Sequence, residues 1–185
     1  MKKTMTFVAV LASIAFVLPA FSSLSAEENW KSLKRESKRM KIDETAKEAL
    51  DTLFASSSKA EDLFEMSCGW AVFDNLKLAF GFSGGGGNGV AKERVSGNKT
   101  YMKMGTAGIG IGLGVNKYQV VFLFQDARTF KNFVENGWQA DATASAVAGQ
   151  TGAEAKTDFS NGMAIYQITD KGLMALADIA GTKYW

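Results

Sequence analysis

Residues 27–56 are rich in Lys, Glu, Ala and Leu and contain neither Gly nor Pro. Such a stretch predicts helix. Asp43-Glu44-Thr45 marks the opening of a second helix or a second half. Ala46, Ala49, Leu50, Leu53 and Phe54 then fall at the spacing of one apolar stripe. Ser56-Ser57-Ser58 ends that stripe and offers a cap for a short helix, KAEDLFEMS. From Gly69 onward the period drops towards two. GWAVF, KLAFGF, GVAKERV, TYMKMG, GIGIGLGV and YQVVFLF read as short strands separated by turn residues. Val115-Asn116-Lys117-Tyr118 is expected to turn a hairpin between two of them. Residues 105–124 hold one charge, but their alternating glycines and polar centre favour a buried hairpin over a membrane span. A short helix follows at 126–137, with Asp126 as N-cap, Phe130, Phe133 and Val134 on one face, and Gly137 as its stop. Trp138, Ala140, Ala142, Ala144, Ala146 and Ala148 alternate strictly, which predicts a strand despite alanine's helical preference. NGMAIYQIT and GLMALADIAG close the chain as apolar runs. The pattern as a whole is α+β. N-terminal helices pack on a glycine-rich, mainly antiparallel, barrel-like sheet with one short inserted helix.

The first 26 residues carry a different pattern. Lys2 and Lys3 precede an apolar run from Thr6 to Leu18, then Pro19 and small residues up to Ala26. This is the order of a secretory signal peptide, cleaved after Ala26. The alternative is an uncleaved anchor helix, for which the apolar run is short. The expected organisation is therefore a signal peptide at 1–26, a helical segment at 27–66 and a β-rich core at 67–185, with 27–185 folding as one domain. The expected location is periplasmic or secreted, peripheral to a membrane.

Removing the leader changes the electrostatics. The chain has 21 Lys+Arg and 19 Asp+Glu. Losing the two leader lysines leaves nineteen of each, so no global basic field exists to attract nucleic acid. Histidine is absent and cysteine occurs once, at Cys68. An intramolecular disulfide is therefore impossible, and a His- or Cys-based metal site is unsupported. Cys68 sits at the head of an apolar run and reads as a small buried hydrophobe rather than a reactive thiol.

Residues 81–90, GFSGGGGNGV, hold six of the 19 glycines. Gly81-Phe82-Ser83-Gly84-Gly85 fits the G-x-S-x-G nucleophile elbow, and Gly84, Gly86 and Gly89 fit G-x-G-x-x-G. Both matches lack their context. Without histidine there is no imidazole base for Ser83, and no helix opens at the glycines to meet a phosphate. The glycines call for a non-catalytic reason, namely close approach of a backbone or of a thin ligand. Gly108, Gly110, Gly112 and Gly114 repeat the pattern on one face of one strand. Either bulky neighbours such as Trp70 or Trp138 cover that face, or it forms a groove for an acyl chain. As a loop, Gly84, Gly85, Gly86, Gly87 and Gly89 would offer N–H groups as an anion nest, with Lys92 and Arg94 beyond. No cofactor is expected and no catalytic residue is assigned.

A second candidate lies in NWKSLKRESKRMKI. Lys31, Lys34, Arg35, Lys38, Arg39 and Lys41 stand against a single acid, Glu36. In a helix, Trp30, Leu33, Ser37 and Met40 form a narrow, partly apolar face with basic flanks, the design of a surface-seeking helix that meets anionic headgroups. The alternative is a solvated helix packed through Leu33 and Met40.

The order of motifs resembles the SYLF-domain family over about residues 40–185. Ser67-Cys68-Gly69-Trp70-Ala71-Val72-Phe73 is similar to the family's first strand, SGGGGNGVA at 83–91 to its glycine-rich turn, and YMKMGTAGIGIGLGV at 101–115 to its alternating glycine strand. A Phe-rich strand, FVENGW, the alanine-rich strand and TDKGLMALADIAGTKYW complete the order. The resemblance implies an α+β fold, binding of phospholipid and no catalysis. Yeast members are described as actin-binding, but actin and phosphoinositides are not expected where a bacterial leader delivers this chain.

Together these features predict a non-enzymatic lipid-binding protein of the bacterial envelope. Its partners are phospholipid or a membrane surface, and neither nucleic acid nor metal. The alternative is a structural or protein-interaction module of the periplasm without a lipid ligand. A small outer-membrane barrel is disfavoured by the charged helix and by Gly181 and Lys183, which break the terminal alternation.

Overall fold

The computed structural model describes residues 19–139, 158–170, 172–174 and 182–185. Its elements are α1 (Pro19–Ser56), α2 (Ser58–Met66), β1 (Gly69–Glu93), β2 (Lys99–Phe124), α3 (Ala127–Asn136), β3 (Trp138–Gln139), β4 (Met163–Thr169), β5 (Gly172–Met174) and β6 (Thr182–Tyr184). The fold is α+β. The chain divides into two compact units, Met1–Lys38 and Arg39–Trp185, with the division inside α1.

In the second unit, β1 and β2 form one antiparallel hairpin with paired residues from Gly69↔Phe124 to Lys92↔Lys99. β2 also carries β4 at one end and β6 at the other, giving the order β3-β6-β2-β4-β5 with β1 on the opposite side of β2. Two cores lie on the two faces of this sheet. One gathers Phe73, Tyr118, Phe122, Phe124, Phe130, Phe133 and Tyr184 beneath α3. Most of its rings meet edge-on or tilted, as in Phe73–Tyr184 at 4.7 Å and Phe122–Tyr184 at 4.9 Å, while Phe122 and Phe124 stack; aromatic quadrupoles favour edge-on and offset-stacked pairs. The other joins Leu50, Leu53 and Leu63 of the helices to Val72, Val90, Val121, Leu123 and Tyr166. At about 1.5–3 kcal/mol for each large side chain removed from water, these cores are the main source of stability.

The capping residues act as expected. The Ser57 hydroxyl accepts from the Ala60 N–H, and Asp126 accepts from the Thr129 N–H. Gly137 stops α3 at φ +73°.

Several elements differ from the sequence expectation. Residues 27–56 belong to one continuous helix, and Asp43 is no cap. Its carboxylate instead accepts from Lys99 Nζ at 2.7 Å and the Tyr101 hydroxyl at 3.0 Å. The six short β runs fuse into two long strands. No hairpin turns at Asn116-Lys117, because these residues pair with Lys77 and Leu76 in mid-ladder. The turn lies between Glu93 and Lys99, where Gly97 takes φ +71°. Only Trp138–Gln139 of the alanine-rich segment is described, as β3; its remainder lies outside the described residues, as does most of GLMALADIAG.

Candidate functional site

The glycine run 81–90 is strand, not loop. Extended backbone does not form the concave N–H nest that an anion requires, so that expectation is corrected. The run's alternation has another cause. A register shift between Phe80 and Phe82 bends β1, and its second half returns across its first. A Cβ added at Gly85 would meet the Leu76 carbonyl oxygen at 2.5 Å and Lys77 Cα at 3.0 Å. One at Gly87 would strike the Asp74 carbonyl and Asn75 Oδ1, and one at Gly89 the Val72 carbonyl and the Phe73 ring. Every second position therefore faces backbone, and only a Cα–H fits against those oxygens. Gly84 and Gly86 point the other way and meet nothing closer than 4.0 and 3.6 Å. Backbone packing explains the face of Gly85, Gly87 and Gly89, whereas a Cβ added at Gly114, the last of the alternating glycines at 108–114, would meet nothing within 4 Å.

Arg94 is also committed structurally. Its Nη1 donates to the carbonyls of Phe64 and Glu65 at 2.6 Å, its Nη2 pairs with Glu65 Oε2 at 2.9 Å, and the guanidinium covers the Phe64 ring. It adds a charged donor to carbonyls of the last turn of α2, of which that of Phe64 also accepts from the Ser67 N–H and hydroxyl. Lys92 is half-buried near the end of the β1 ladder.

The basic stretch is built differently. Lys31, Lys34, Arg35 and Lys38 are spaced i, i+3, i+4, i+7 and so form one stripe on α1 within the first unit. Trp30 and Leu33 lie on the adjacent stripe, 66% and 53% exposed. Lys31 pairs with Glu27 one turn away. Among the described residues, no ion pair engages Lys34, Arg35 or Lys38. In the second unit, Arg39 stacks over the Tyr101 ring at 4.8 Å, while Met40 and Lys41 are exposed. Packing through Leu33 and Met40, the alternative reading of this stretch, does not occur among the described residues: both are open to solvent.

No three His, Cys, Asp or Glu gather as a metal site among the described residues. Cys68 is half-buried, and burial pushes its thiol pKa up, away from the reactive thiolate. No helix among the described residues is long and apolar enough to cross a membrane. One feature the sequence reading missed is an exposed apolar row at Leu76, Leu78 and Phe80 with Val115. The alternation Asn75-Leu76-Lys77-Leu78 carried the signal.

Residues 105–185 match the Ysc84 family, described as Las17-binding protein actin regulator. Beta cell expansion factor A of Aeromonas veronii is 44% identical over 147 residues, covering 80% of this chain and 56% of that protein. The chain thus spans little more than half of this relative's length. With the motif order from Ser67 to Trp185 and the α+β sheet that carries it, these matches make the chain a member of the SYLF (Ysc84) family.

Proposed function

We propose that this protein is a non-enzymatic, lipid-binding component of the bacterial envelope, exported by residues 1–26 and held at anionic phospholipid by α1. The observation that carries the reading is the pair of adjacent stripes on α1. Lys31, Lys34, Arg35 and Lys38 form one, and exposed Trp30 and Leu33 the other. A tryptophan beside a leucine suits the headgroup–acyl boundary, and the cations suit the headgroups. Each contributes on the order of 1 kcal/mol at an anionic surface, screened by salt. Arg39 contributes less, being stacked on Tyr101. The test is co-sedimentation with phosphatidylglycerol vesicles of the native protein and a Lys34→Glu, Arg35→Glu, Lys38→Glu variant. Loss of binding in the variant supports the helix. Retained binding moves the contact to the sheet, and no binding by either protein removes the lipid reading.

A second reading has one specific support. The family description names a Las17-binding actin regulator, which is a protein partner. A protein-interaction module of the envelope would give no vesicle binding in the same assay.

A further inference from the structure

Soluble sheets bury apolar side chains inside and turn polar ones outward. The bend of the β1–β2 hairpin departs from that order on its outer face. On its inner face stand Asn75 and Ala79, both buried, with Lys77 half-buried between them. On its outer face stand Leu76, Leu78 and Phe80, with Val115 in register opposite Leu78. Phe80 is 64% exposed and Val115 59%. Among the described residues the β4 ladder ends at Tyr118 and the β6 ladder at Thr106, so the bend lies beyond both. A row of apolar side chains turned outward is what strands that face lipid present.

We infer that this outer row is a second membrane contact, inserted into one leaflet of an anionic bilayer; the inference rests on the lipid-binding reading above. The row has a direction. Phe80 is at the bend, Leu78 and Val115 come next, and Leu76 follows with Lys117 opposite it. Asp74 lies one step further out on the same face. With Phe80 deepest, Lys117 reaches the headgroups through its apolar stem, and Asp74 stays in water. At about 3.3 Å per residue the row from Leu76 to Phe80 spans roughly 13 Å, close to the roughly 15 Å of one leaflet's hydrocarbon. It is too short to cross the bilayer, for which a strand needs about nine residues or more.

The test uses the protein expressed from its full-length sequence and purified as processed. Cys68→Ala provides a background for single labels, since the chain has no other cysteine. An environment-sensitive fluorophore is placed at Phe80→Cys, and in a separate sample at Val95→Cys in the exposed turn. Both samples are mixed with phosphatidylglycerol vesicles and co-sedimented to confirm binding. The inference predicts a blue shift, and quenching by acyl-chain spin labels, at 80 and not at 95. Unlabelled Leu78→Ser, Phe80→Ser should lower the vesicle partition coefficient by at least about tenfold with the fold retained by circular dichroism. A sample that sediments with vesicles while position 80 stays water-exposed overturns the inference and leaves the helix reading standing. No sedimentation at all overturns both. A blue shift without vesicles identifies a second copy of the chain as the occupant and overturns it as well.

Discussion

Gly87 lies against Asp74. The two belong to one strand, yet the carbonyl of Asp74 occupies the space where a Cβ of residue 87 would sit. Gly85 meets Leu76 and Gly89 meets Val72 in the same way. The hairpin folds over itself along this line, and the glycines exist to let it.

Alanine at these positions therefore has opposite effects by parity. Gly87→Ala and Gly89→Ala are expected to cost more than about 3 kcal/mol, since the obstruction is backbone or a packed ring. Gly84→Ala and Gly86→Ala face open surroundings and should be neutral, or stabilise by about 0.4–1 kcal/mol through the unfolded chain. Urea denaturation of the four variants checks this; equal costs would refute the parity.

Tyr184 separates packing from hydrogen bonding. The residue is fully buried among Phe73, Phe122, Phe133 and Trp138, and its hydroxyl has no hydrogen-bond partner among the described residues. Tyr184→Ala should cost about 3–5 kcal/mol by cavity formation. Tyr184→Phe should cost nothing or stabilise, because it removes a buried polar atom that gains no bond. Thermal denaturation distinguishes the two.

Arg94 supports a helix from a distance. Arg94→Ala leaves the Phe64 and Glu65 carbonyls without their charged donor and should cost about 1.5–3 kcal/mol. Arg94→Lys should recover only part, since an ammonium cannot span both carbonyls and the Glu65 carboxylate in one plane. Hydrogen exchange in α2 should rise in both variants before global stability limits it.

Asp126 predicts a pH dependence. Hydrogen bonds from the Thr129 N–H and hydroxyl hold its carboxyl below the ordinary carboxylate range. A depressed folded-state pKa gives stability that is complete above the unfolded value, about 3.9, and is lost as pH falls through the folded one. Asp126→Asn keeps a capping oxygen but no charge. Its Tm should lie below native at neutral pH and converge with it below about pH 4.

Much of this architecture was legible beforehand. The caps at Ser57 and Asp126 and the stop at Gly137 are local devices, so local sequence announces them. The α+β class and the strands around Phe73, Phe122 and Ile165 followed from period. The merger of short runs did not. Glycine and Asn116-Lys117 are turn signals on average, and only the long-range return of β1 over itself makes them strand here. Arg94 was legible as a charge but not as a cap, because its carbonyls lie thirty residues earlier in the chain. Lys34, Arg35 and Lys38 were legible as a stripe because helical spacing alone sets it. Arg39 was not separable from them, since its ring partner Tyr101 is on another element.

The central claim is that an anionic lipid surface is the partner. Sedimentation of the native protein with phosphatidylglycerol and with phosphatidylcholine vesicles, each at low and high salt, addresses it most directly. The account predicts binding to phosphatidylglycerol that weakens strongly with salt yet leaves a salt-resistant remainder from the apolar contacts, and little binding to phosphatidylcholine. Equal binding to both lipids at both salts, or no binding to either, would contradict it.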